Sequence, residues 1–122
     1  MEEKEPTLEE ILNTMKKMSG GDPRPMRALS QINPDFVFEQ ARGRKFVMNL
    51  PLIPPKYKHL IMIAVAAAGE SERCTTTFMK AARVAGVSKE EIAEAIMVAR
   101  QAKGAALFAA SVEGFEELLK ET

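Results

Sequence analysis

One thiol, one imidazole and a short run of hydroxyls carry most of the chemistry open to this chain of 122 residues. Cys74 is its single cysteine and His59 its single histidine. A thiol can attack an electrophile, or be oxidised to a sulfenic acid and reduced again. An imidazole titrates near neutrality, so His59 is the best general base available. Around Cys74 stand Glu70, Glu72 and Arg73, with Thr75-Thr76-Thr77 directly after it. Arg73 favours negative charge on the sulfur, and the two carboxylates oppose it. Glu72 could help move protons. The three threonines could hold a substrate oxygen, or turn back to hydrogen-bond their own helix. Cys74 falls in the first turn of a predicted helix, where the backbone dipole favours an anion.

Each of these residues has a structural reading as well. A lone cysteine on an alanine-rich helix also suits a small buried hydrophobe. His59 follows Lys56, Tyr57 and Lys58, and could sit at the wet end of its helix. Tyr57 could wall a site or simply pack. The eight methionines read as core filler. One cysteine rules out an internal disulfide and every multi-cysteine metal site. A zinc site would have to recruit carboxylates, so neither a metal nor another cofactor is expected. No phosphate-binding loop, Ser-His-Asp order or paired-carboxylate motif stands out.

The elements that must position these residues follow from proline, glycine and capping signals. All seven prolines lie between Pro6 and Pro55. The second half is therefore free to form long helices, while the first half holds shorter ones. Thr7-Leu8-Glu9-Glu10 reads as a capping box, followed by Leu8, Ile11, Leu12, Met15 and Met18 at helical spacing up to Gly20-Gly21. The stretch 22–31 is irregular or one short helix. Asn33-Pro34 opens a helix expected to end near Gly43. The apolar, proline-interrupted stretch 46–53 reads as an extended connector packed on the core. Pro54-Pro55 opens a helix whose run 60–68 is apolar on every side, which predicts burial all round, at the centre of a bundle or of an oligomer. Gly69 ends it. Ser71 caps the Cys74 helix, which stops at Gly86. Ser88-Lys89-Glu90-Glu91 is a second capping box. Gly104 marks a break or a close helix contact, and a last helix carries Phe108, Val112, Phe115, Leu118 and Leu119.

Composition sets the class. Hydrophobic residues make up 46% and charged ones 28%, which excludes a disordered or collagen-like chain. Few aromatics and many methionines favour packed helices over a β-sandwich. The expectation is an all-α, single-domain bundle of about six helices. The acidic opening Met1-Glu2-Glu3-Lys4-Glu5 carries no secretory pattern, and the run 60–68 is too short to span a bilayer. A soluble, cytoplasmic protein with no membrane partner is expected. Net charge is zero, but residues 23–60 hold seven Lys/Arg against two Asp/Glu. Without interleaved aromatics, that basic middle reads as a solvated face or subunit contact, with no nucleic-acid partner. The small side chains at Ala64, Ala66, Ala67, Ala68, Ala105, Ala106, Ala109 and Ala110 leave surface for self-association.

The buried helix Lys58-His59-Leu60-Ile61-Met62-Ile63, then Ser71-Glu72-Arg73-Cys74, then Ala81-Ala82-Arg83-Val84-Ala85-Gly86-Val87-Ser88-Lys89-Glu90-Glu91-Ile92, resembles the carboxymuconolactone decarboxylase family, which includes alkyl hydroperoxidase D-like proteins. The resemblance covers residues 55–119. It divides the single domain 1–122 into an extension 1–54 and a core 55–122. It implies an all-helical fold assembled as homo-trimers or homo-hexamers. Redox members carry Cys-x-x-Cys-x-x-x-His; here the first cysteine matches Cys74, the second falls on Thr77 and the histidine on Ala81. The family's upstream Glu falls near His59. Thr77 cannot close a disulfide and Ala81 cannot carry a proton. The resemblance thus implies a peroxidase-type oxidoreductase with one redox thiol, Cys74, recycled by an external thiol reductant. His59 and Glu72 would assist with protons, and Thr77 would hydrogen-bond the thiolate or the small-molecule substrate. Two alternatives stand beside it. One is a decarboxylase of a small lactone acid, using His59 as acid–base and Arg73 to hold a carboxylate. The other is an oligomer that has lost its chemistry.

Overall fold

The computed structural model describes residues 4–122, so Met1, Glu2 and Glu3 of the acidic opening lie outside the described residues. Six helices follow one another: α1 (Leu8–Ser19), α2 (Arg24–Ile32), α3 (Pro34–Met48), α4 (Pro55–Ala68), α5 (Glu72–Val84) and α6 (Lys89–Leu119). Among the described residues there is no strand. The fold is the expected all-α bundle.

Local chemistry starts most of these helices where the sequence indicates. The Thr7 hydroxyl accepts from the Glu10 amide at 3.2 Å, and Gly20 closes α1 in the left-handed region at φ +73°. The Asn33 side chain accepts from the Asp35 amide, with Pro34 in the first turn of α3. At α6 both arms of the capping box form: Ser88 Oγ accepts from the Glu91 amide, and Glu91 accepts from the Ser88 amide, each at 3.0 Å. Each such cap satisfies backbone donors that a helix start otherwise leaves open.

Two apolar clusters hold the helices together. Ile11, Leu12 and Val37 join α1 to α3, flanked by Met26 and Leu29 of α2. Ile63, Ala82, Val87 and Ile92 join α4, α5 and the start of α6, flanked by Leu60, Phe78, Met79 and Ile96. The link between clusters runs through α1 packed on α5. Lys58 pins the start of α4: its buried ammonium donates to the carbonyls of Met48 at 3.0 Å and Leu50 at 2.6 Å.

Three expectations need correction, and a fourth, the burial of α4 on every side, is met only in part within one chain. Helix α3 continues past Gly43 to Met48, because one interior glycine costs only about 1 kcal/mol and the following residues sustain the helix. The stretch 46–53 is accordingly helical at its start, and it is not packed on the core: Phe46, Val47, Leu50, Leu52 and Ile53 are all exposed. Helix α4 is buried on one side only. Ile63 and Ala66 face inward, while Ile61 and Val65 are exposed, the latter by 67%, since this chain supplies only α5 and α6 to cover it. Helix α6 is unbroken through Gly104, and a Cβ there would meet nothing within 4 Å, so Gly104 marks neither a break nor a close contact within the chain.

Candidate functional site

The turn between α4 and α5 builds the surroundings of Cys74. Gly69 ends α4, and Glu70 takes a left-handed conformation at φ 60°, which reverses the chain within two residues. The Ser71 hydroxyl then accepts from the Cys74 amide at 3.4 Å and caps α5. Cys74 is thereby fixed in the first turn, at the end of the helix where negative charge is stabilised. Its thiol is exposed, so the reading of a sealed core cysteine does not fit this chain on its own.

The sulfur edges an open hollow of about 380 Å³ between α4 and α5. Ile61, Met62, Val65 and Ala66 line it from α4, Gly69 and Ser71 from the turn, and Phe78 from α5. Almost all of this surface is hydrocarbon or thioether. Phe78 lies four residues after Cys74, so both project from one side of α5 towards α4.

The remaining predicted residues are placed as follows. Thr77 lies one turn after Cys74, half-buried, and its hydroxyl makes no hydrogen bond among the described residues. Thr75, in contrast, turns back and donates to the Ser71 carbonyl at 2.7 Å. Glu72 and Arg73 are exposed, without an ion pair among the described residues. His59 is 6% exposed and does not line the hollow. It sits on the inward stripe of α4 with Ile63 and Ala66, a stripe set by spacings of four and three residues. Burial pushes its pKa below the ordinary 6.5, and the positive charge of Arg44 adds to the effect. The structure therefore brings Cys74 together with Ser71 and an apolar wall, and keeps the imidazole apart from the hollow. Among the described residues no group of three His, Cys, Asp or Glu could hold a metal. None of the described helices is long and apolar enough to cross a membrane.

Sequence reasoning passed over two contributors. Met62 and Val65 were read only as part of the apolar run 60–68 and Phe78 was not singled out, although it lies one turn after Cys74 on the same side of α5. The Lys56–Glu91 ion pair, joining α4 to the α6 cap, carries no sequence signal. The hydrogen bond from Lys56, with two more from Ser88, holds the Glu91 carboxyl down to about 2.

Compared with known proteins, the chain matches a family model described as the carboxymuconolactone decarboxylase family over residues 40–117, well over half its length. That match starts within α3 and runs almost to the end of α6. No curated protein matches it.

Proposed function

The chain belongs to the carboxymuconolactone decarboxylase family, and from that premise we propose that it is a one-cysteine peroxidase for organic hydroperoxides, recycled by an external thiol. The observation that carries this reading is an exposed thiol in the first turn of α5 at the edge of an apolar hollow. The hydrocarbon wall suits a substrate with an apolar body, and the open side admits both peroxide and reductant.

The Cys74 thiolate attacks the terminal oxygen of R–O–OH. A sulfur–oxygen bond forms and the oxygen–oxygen bond breaks. Sulfur loses two electrons, which leave with the alkoxide; that alkoxide takes a proton from water and departs as the alcohol. The sulfenic acid left on Cys74 reacts with an external thiol, releasing water and forming a mixed disulfide. A second thiol attacks that disulfide, restores Cys74 and carries away the oxidised reductant. Thr77, one turn along with a free hydroxyl, is the donor proposed to hold the peroxide oxygen. This chemistry calls for a compartment rich in small thiols, which supports the reading of a cytoplasmic protein.

The test is consumption of cumene hydroperoxide in the presence of glutathione by wild type and Cys74→Ser, with dimedone labelling of the sulfenic acid. Wild type should turn over and take up one dimedone per chain, and Cys74→Ser should do neither. Equal, background rates for both end the proposal. Release of CO2 from lactone acids, sensitive to His59→Ala, would support the decarboxylase alternative instead.

A further inference from the structure

The turn that delivers Cys74 to the hollow is closed by a residue ill suited to its backbone. The Ser71 amide donates to the Ala66 carbonyl and the Glu70 amide to the Ala67 carbonyl, each at 3.0 Å. This pair of bonds is a common way to end a helix in a left-handed residue, and that residue is most often glycine. Here it is Glu70, at φ 60°. A side chain at such a φ carries a steric cost that glycine escapes. Backbone strain of this kind persists only where surrounding contacts impose it. Neither bond uses the Ala68 carbonyl, one of the last open acceptors of α4.

Lys103 meets both the open carbonyl and the strained residue. It stands on α6, which Ile92 and Ile96 anchor in the cluster shared with α4 and α5. From 35 residues away its ammonium donates to the Ala68 carbonyl at 2.8 Å, and it lies 3.8 Å from the Glu70 carboxylate. The cation thus faces the negative end of the α4 dipole and the acid side chain of the turn together. An exposed ion pair alone contributes little, but here it is joined to a carbonyl bond one residue pair away. Glu70 precedes Ser71, whose hydroxyl accepts from the Cys74 amide. Holding the turn therefore holds the Ser71 cap and the first turn of α5, on which the helix-end stabilisation of a thiolate depends. The same contact offsets the Glu70 carboxylate, which opposes negative charge on the sulfur. Lys103 does not line the hollow, so its action is indirect. We propose that Lys103 is a positioning residue for Cys74, clamping Ala68 and Glu70 so that the α4–α5 turn stays closed. Its role rests on the peroxidase reading of Cys74, and its test rests on the thiol alone.

Alkylation by iodoacetamide at neutral pH tests the clamp, because Cys74 is the single thiol of the chain. Lys103→Met should slow the reaction by roughly 2- to 5-fold, the range that one exposed ion pair supports. Lys103→Arg, which keeps a cationic donor, should recover most of the wild-type rate. Urea-melt midpoints of the three proteins should agree closely, since Lys103 is half-exposed; a purely structural role would lower stability and reactivity together. A second background isolates the route. Glycine takes the left-handed conformation without strain and carries no carboxylate, so within Glu70→Gly the Lys103→Met change should alter the rate by less than about 1.5-fold. An unchanged rate in Lys103→Met overturns the proposal. So does a Lys103→Arg variant as slow as Lys103→Met, or a full effect of Lys103→Met within Glu70→Gly. A wild type that alkylates as described but consumes no cumene hydroperoxide ends the peroxidase reading and leaves the clamp standing.

Discussion

Cys74 and His59 were equally conspicuous as single residues, yet the fold gives them opposite settings. Cys74 is exposed because a cap and a two-residue turn place it at a helix start, and both are local features. His59 is buried because α4 turns it inward, beside the charge of Arg44 from a distant segment. Its folded pKa lies below 6.5, so the unfolded chain binds a proton there that the folded chain does not. Stability should therefore fall as pH drops through 6.5, and His59→Gln should flatten that part of a urea-melt pH profile. A slope unchanged in the variant would remove His59 from the account. Glu91 behaves differently. Its folded value of about 2 lies below the ordinary 4.5, so its ion pair and caps stabilise the fold above pH 4.5 and are lost as pH falls towards 2. Lys56→Met should reduce that acid sensitivity, measured by the same melts.

At the scale of elements, the caps were the most legible feature, because Ser71, Ser88 and the Asn33-Pro34 pair act through residues two or three positions away. Ser88→Ala removes one arm of a complete capping box and should cost about 1 kcal/mol in chemical denaturation. Helix ends marked by interior glycines were misread. Gly43 and Gly104 look like stops, but a single helical glycine costs about 1 kcal/mol, less than the surrounding helix returns. Gly104→Ala should raise stability by up to about 1 kcal/mol in a urea melt, since the new methyl meets nothing within 4 Å in the protomer. A loss there would mean that α6 is strained at this point. The site was half legible for the same reason. The cysteine, its cap and its helix were local, whereas the wall of Met62, Val65 and Phe78, and the removal of His59 from it, depend on how α4 meets α5.

For the molecule as a whole, the expectation of a central helix buried on every side is met only in part within one chain, which supplies part of the cover. Val65 and the far half of α6 remain bare. Within the chain, Ile63 is completely buried at the centre of the α4–α5–α6 cluster, so Ile63→Ala should cost about 2–5 kcal/mol in a urea melt. The separation of that cluster from the one built on Ile11, Leu12 and Val37 has a consequence for how the protein opens. Amide hydrogens in residues 8–48 and in 55–99 should exchange with solvent as two blocks, each with its own opening free energy and with the divide at residues 49–54. The slower block should be the one that carries the cysteine, which would leave the thiol mounted on a standing frame while the front of the chain breathes.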